Sequence, residues 1–180
     1  MLTSQSTVLV MIDVQDRLFA AMQERDALLD AVSRLVRGAL LLDIPIVHTE
    51  QAPQKLGPTK SEIANLLPEG LSPVTKTCFD ACEELSFLKR LDALQRRTVL
   101  VCGIEAHVCV YQTVAGMLHL GYEIEVVTDA VSSRHASNRD VALRRMESQG
   151  AGLTSVEMAL FEVTRTADAS IFRELQYIVK

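Results

Sequence analysis

The stretch from Val99 to Leu120 constrains the fold more than any other part of the chain. It opens on Val99-Leu-Val-Cys102, an apolar run without charge or polar alternation, which suits a strand covered on both faces. Gly103 lets the chain turn sharply. From His107 onward, Val110, Val114, Met117 and Leu118 recur at helical spacing and form one apolar face. The pattern predicts a strand over Thr98–Gly103 and a helix over His107–Leu120. Cys109 then lies in the first turn of that helix. Unpaired backbone N–H groups and the positive end of the helix dipole favour thiolate there, and the same N–H groups offer a place for an oxyanion. Packing alone supplies another reading, because a free cysteine is often a small core residue.

The remaining chain alternates in the same way. Strands are expected at Thr7–Asp13, Ile44–Thr49, Ser72–Lys76, Glu123–Thr128 and Ala151–Thr154. Helices are expected at Asp26–Asp43, Lys60–Leu66, Leu85–Leu94, Ser137–Gln149 and Ser170–Val179, with Glu50–Thr59 a polar loop. Alternating elements whose central strands lack polar positions predict a parallel sheet in a three-layer α/β/α arrangement. No repeat, linker or low-complexity segment interrupts residues 1–180, so a single domain is expected.

Composition narrows the function classes. The net charge is −5 and aromatic residues make up only 4% of the chain, which argues against a nucleic-acid-binding role. No apolar run reaches membrane-spanning length, so no membrane partner is expected. Four cysteines without a basic, cleavable leader at Met1–Thr7 point to free thiols in a reducing cytoplasm.

In an open parallel sheet, ligands bind beyond the carboxyl ends of the strands. Those ends carry Asp13, Lys76 and, through Gly103, Cys109. An acid, an ammonium and a thiol on one rim supply a base, a cation and a nucleophile, which is what covalent acyl transfer requires. Taken singly, each has a plainer role: Asp13 could pair with Arg17, and Lys76 could be a surface lysine.

These residues lie in Val10-Met-Ile-Asp-Val-Gln15, Lys76-Thr-Cys-Phe-Asp80 and Gly103-Ile-Glu-Ala-His-Val-Cys-Val-Tyr-Gln-Thr113. With Val126-Val-Thr-Asp-Ala130 and Thr154-Ser-Val-Glu-Met-Ala159, they resemble the isochorismatase-like cysteine hydrolases, which include nicotinamidases and N-carbamoylsarcosine amidase. The loop His48–Thr59 resembles the branch called isochorismatase domain-containing proteins. The resemblance implies a six-stranded Rossmann-like sheet of order 3-2-1-4-5-6. It implies Asp13 as the base, Lys76 as the stabilising cation and Cys109 as the nucleophile, with a thioester intermediate. It also implies a cis peptide at Ile104–Glu105 and an oxyanion hole from the Glu105 and Cys109 N–H groups, with the Glu105 side chain pointing elsewhere. Gln15, Gln51, Phe79 and His107 are the expected substrate-pocket residues.

Nicotinamidases place metal ligands after the second strand, where this chain has Gln51 and Pro53, so no metal and no cofactor are expected. The expected activity is hydrolysis of a small molecule at an amide-like C–N bond, by a homo-oligomer that is a dimer or larger. The alternative is a non-catalytic interaction protein that keeps the hydrolase fold. A flavodoxin-like nucleotide module has no Gly-rich phosphate loop to support it.

Overall fold

The computed structural model describes residues 1–180. Its centre is a parallel sheet whose strands are β1 (Thr7–Ile12), β2 (Ile46–Gln51), β3 (Val74–Lys76), β4 (Thr98–Ile104), β5 (Glu123–Ser132) and β6 (Gly152–Thr154). The six strands lie in the order β3-β2-β1-β4-β5-β6, as expected. β1 pairs with β2 on one side and with β4 on the other, Ile12 standing opposite Thr49 and Gly103. Strand order therefore reverses between β1 and β4, where a crevice opens at the carboxyl ends.

The apolar strands lack alternation because each side of the sheet has its own core. Leu9 and Met11 of β1, with Leu100, Cys102 and Ile104 of β4, face one core. Val8, Val10 and Ile12, with Val99 and Val101, face the other. Helix α2 (Arg25–Leu41) covers the first side with Leu28, Ala31, Val32, Leu35, Val36 and Ala39, all buried at three- and four-residue spacing. Helices α5 (Leu85–Leu94), α6 (Tyr111–His119) and α7 (Ala136–Ser148) supply the second side through Phe87, Leu91, Val114, Met117, Ala142 and Met146. No helix is long and apolar enough to cross a membrane.

Some boundaries differ from the sequence reading. A helix, α8 (Val156–Thr164), occupies a stretch for which no helix is expected. Its signals are Ser155, whose hydroxyl accepts from the Met158 N–H, and buried Val156, Ala159 and Leu160 at i, i+3 and i+4. α9 (Phe172–Val179) closes the chain beside α2 and α8. Short helices α1 (Asp16–Phe19), α3 (Pro53–Leu56) and α4 (Ser61–Ala64) punctuate the loops around the crevice.

The expected helix His107–Leu120 is divided. Ala106–Val110 winds as a π-turn, and α-helical geometry begins only at Tyr111. Such wide turns are rare and gather at functional sites. The turn into it depends on Gly103, at φ +145°, because a Cβ there would run into the Ile12 backbone.

Candidate active site

Asp13 follows directly on β1, with a left-handed backbone (φ +54°) rather than strand geometry. Its carbonyl accepts from the Gln15 N–H at 2.7 Å, which fixes this tight turn. The carboxylate is fully engaged: Thr49 Oγ1 donates to Oδ1 at 2.6 Å and Lys76 Nζ donates to Oδ2 at 2.7 Å. Both charged side chains are sealed, at 0% exposure for Lys76 and 1% for Asp13. Lys76 Nζ also donates to Gln51 Oε1 at 2.7 Å and to the Cys78 carbonyl at 3.3 Å. An ammonium with three oxygen partners is satisfied without water, so the pair can remain ionic inside the protein.

The structure brings Cys109 to the same place. Its thiol is buried on the π-turn and feels the charges of both Asp13 and Lys76. Burial, followed by the Asp13 carboxylate, pushes the Cys109 thiol up to about 12 against the pull of Lys76. The sequence reading of a dipole-stabilised thiolate is therefore corrected: desolvation and a neighbouring anion outweigh the helix end, and the resting group is a thiol.

The neighbouring backbone also departs from expectation. All peptide bonds are trans, Ile104–Glu105 included, contrary to the cis bond implied by the resemblance. Glu105 takes the left-handed conformation (φ +57°), uncommon for a residue with a side chain. In the turn its carbonyl accepts from the Val108 N–H at 2.8 Å, while its own N–H joins no backbone acceptor. Glu105 is among the residues around the cavity, and its side chain turns to Arg134 and His107. Its Oε1 forms an ion pair with Arg134 Nε at 2.6 Å, and Oε2 is buried without a hydrogen-bond partner.

A cavity of ≈ 450 Å³ opens at this point. Leu18, Ala21, Leu56, Phe79 and Val108 make its apolar walls, and Arg17, Gln51, Glu105, Cys109 and Arg134 supply the polar groups. Two expected pocket residues, Gln51 and Phe79, are thus in its wall. Gln51 is bound on every side: its Nε2 donates to the Thr77 carbonyl at 2.8 Å while its Oε1 holds Lys76.

Gln15 and His107 are placed differently. Gln15 is completely buried, donating to the Gln51 and Gly57 carbonyls at 3.1 and 2.6 Å and accepting from the Gln51 N–H at 2.8 Å. It ties the β2 end and its loop to β1, and it is not in the cavity wall. His107 Nδ1 lies 3.1 Å from Ser133 Oγ, and its Nε2 lies 3.3 Å from Asn138 Nδ2. That ring braces the π-turn against the end of β5 and against α7. Arg17 and Arg134 are the charged lining residues that the sequence reading missed. Both sit in irregular or short elements, where no periodicity marks them. His48 is buried on β2 with its pKa lowered by burial, and Nδ1 has no partner. No three His, Cys, Asp or Glu side chains gather as a metal site would require.

The comparisons with known proteins decide the family. Residues 7–158 match the family described as Isochorismatase domain. The chain belongs to that family. It is similar to isochorismatase domain-containing protein 2A of Mus musculus, 38% identical over 177 residues that cover 98% of this chain and 84% of the mouse protein. Among solved structures it is similar to one described as MAR1 ribonuclease from Caenorhabditis elegans, with TM-score 0.93 and 32% identity, covering 99% of this chain and 91% of the other. The YcaC protein of Escherichia coli, described as an octameric hydrolase of unknown specificity, shares the fold with TM-score 0.92 at 23% identity, covering 98% and 88%.

Proposed function

We propose that this isochorismatase-family chain is a cysteine hydrolase that cleaves an amide-like C–N bond in a small molecule. One observation carries the reading: the sealed Asp13–Lys76 pair lies against the Cys109 thiol beside a cavity of ≈ 450 Å³, a size suited to a small ligand.

The raised pKa of Cys109 dictates the order of events. The proton stays on sulfur until a carbonyl carbon is in place, and Asp13 removes it as the sulfur attacks. The tetrahedral oxyanion is met by the Glu105 and Cys109 N–H groups. Collapse breaks the C–N bond, the proton held by Asp13 leaves with the amine, and a thioester remains on Cys109. Water then attacks the thioester with Asp13 again accepting its proton, which releases a carboxylic acid and restores the thiol. Lys76 holds the Asp13 carboxylate in place between proton transfers, and Gln51 keeps Lys76 aimed. No metal or cofactor takes part in this sequence.

A homo-oligomer fits the exposed Phe79, Leu85, Met158 and Tyr177, and the octameric YcaC offers a precedent within the fold. The ribonuclease name borne by the worm neighbour gives a second reading, in which the same cavity serves RNA.

The test is turnover of a panel of small amides, carbamoyl compounds and a single-stranded RNA by the wild type and by Cys109→Ala. Hydrolysis of an amide, abolished in a folded Cys109→Ala variant, is the expected result. Undiminished amide hydrolysis without Cys109 overturns the nucleophile, and cleavage of RNA alone replaces this reading with the second.

A further inference from the structure

Four separate segments bring apolar side chains to the cavity beside Cys109. Leu18 and Ala21 come from α1 and the turn after it, and Leu56 from α3. Phe79 comes from the loop after β3, and Val108 from the π-turn immediately before Cys109. Phe79 is 52% exposed, and Leu18, Leu56 and Val108 are half-buried. The polar side chains of the same wall already have partners. Gln51 is bound at both ends of its amide, to Lys76 and to the Thr77 carbonyl. Glu105 and Arg134 hold each other at 2.6 Å, and Arg17 donates to the Lys55 carbonyl. Apolar surface is what the wall leaves unpaired, and water is a poor occupant for it.

The segment that carries Leu56 is tied down on both sides. Gln15 donates to the Gly57 carbonyl at 2.6 Å, and the Lys60 N–H donates to the Val14 carbonyl at 2.8 Å. The Thr59 N–H and hydroxyl both donate to Glu50 Oε1, at 2.6 and 2.8 Å. The apolar wall is thus set before a ligand arrives, which lowers the ordering cost of filling it. The covalent chemistry decides which half of a substrate gains most from such a wall. The amine departs when the first tetrahedral intermediate collapses, whereas the acyl group stays on sulfur until water removes it. Contacts with the acyl group therefore act on both steps, and contacts with the amine on the first alone.

We infer that Leu18, Leu56, Phe79 and Val108 hold the acyl part of the substrate, so that the site selects amides of apolar, several-carbon carboxylic acids over acetyl compounds. This deepens the hydrolase reading and rests on it. The four side chains determine specificity and take no part in the bond-breaking steps.

The S-trifluoroethyl thioesters of acetic, butyric and hexanoic acid test the inference. They share one small leaving group and differ only in the methylenes of the acyl chain. Attack by Cys109 forms its C–S bond and breaks the bond to the trifluoroethyl sulfur, which takes the proton held by Asp13 and leaves as trifluoroethanethiol. Fluorine NMR follows that release at pH 8, and the mass of the Cys109 peptide identifies the acylated residue. Each rate is divided by that of glutathione with the same probe. The wild type is expected to favour butyryl over acetyl by roughly tenfold, the effect of burying two methylenes. The ratio is read within each protein, so it does not depend on absolute activity. It should fall to the glutathione ratio in Leu18→Ser/Leu56→Ser and should shrink in Phe79→Ser, a substitution at an exposed position that spares the core. Equal rates across the series in the wild type, or a preference unchanged in both variants, overturns the acyl site and leaves the hydrolase reading standing. Release no faster than in Cys109→Ala, with every probe, overturns both.

Discussion

Asp13 and Glu105 are two carboxylates of one site, held in opposite ways. Both follow a central strand directly, and both have a left-handed backbone. Asp13 has each oxygen filled, by Thr49 and by Lys76, and its cationic partner is as deeply buried as itself. Glu105 has one oxygen on an arginine that is mostly in water and one that makes no hydrogen bond, with His107 Nδ1 3.4 Å away. The first arrangement fixes a charge in position for repeated proton transfers. The second leaves a charge whose surroundings can change when a ligand arrives. The floor of the site is sealed from water, and the wall is open to it.

The largest effect is expected from breaking the floor. Asp13→Asn removes the base and should lower turnover by about 10²–10⁴-fold. The same substitution should act oppositely on the resting thiol. The Asp13 charge holds the Cys109 pKa up and Lys76 holds it down, so loss of the anion lowers it. Alkylation of Cys109 near pH 8 is therefore expected to be faster in Asp13→Asn than in the wild type, whose rate should keep climbing through pH 9 without a plateau. A wild-type plateau below pH 8, or slower alkylation in the variant, would contradict the assignment.

Stability offers the next contrast. Lys76→Met leaves Asp13 charged, buried and without its partner, a loss of about 3–5 kcal/mol in a urea titration. Arg134→Ala breaks an ion pair at the mouth, where water can take the place of the guanidinium, and should cost about 1 kcal/mol or less. Equal losses in the two variants would erase the distinction between floor and wall.

The floor was legible in the sequence and the wall was not, for physical reasons. A strand buried on both faces must be apolar along its length, so β1 and β4 declare themselves, and the residues just after them are then placed by topology. Asp13 and Cys109 follow from that rule, and Lys76 ends the short edge strand β3 at the same rim. Arg134 lies between β5 and α7 and Arg17 in a four-residue helix, where neither period nor burial constrains residue type. The wide turn at Ala106–Val110 preserves the apolar spacing of an ordinary helix, so the pattern could not reveal it. The acidity of Cys109 was misjudged because a helix end is visible in sequence, whereas desolvation and the nearby Asp13 appear only after folding. Helix α8 had its cap and its i, i+3, i+4 spacing in plain view, in a stretch to which the sequence reading assigned no element.

The central claim is that the substrate passes through a covalent bond to Cys109, and its most direct test is the mass of the Cys109 peptide. Enzyme is quenched in acid while turning over an amide from the panel, digested and analysed. The account expects a Cys109 peptide heavier by the acyl group of the substrate, absent in Cys109→Ala, together with loss of turnover in that variant. An unmodified Cys109 peptide, in an enzyme that turns over equally well without this thiol, would contradict it.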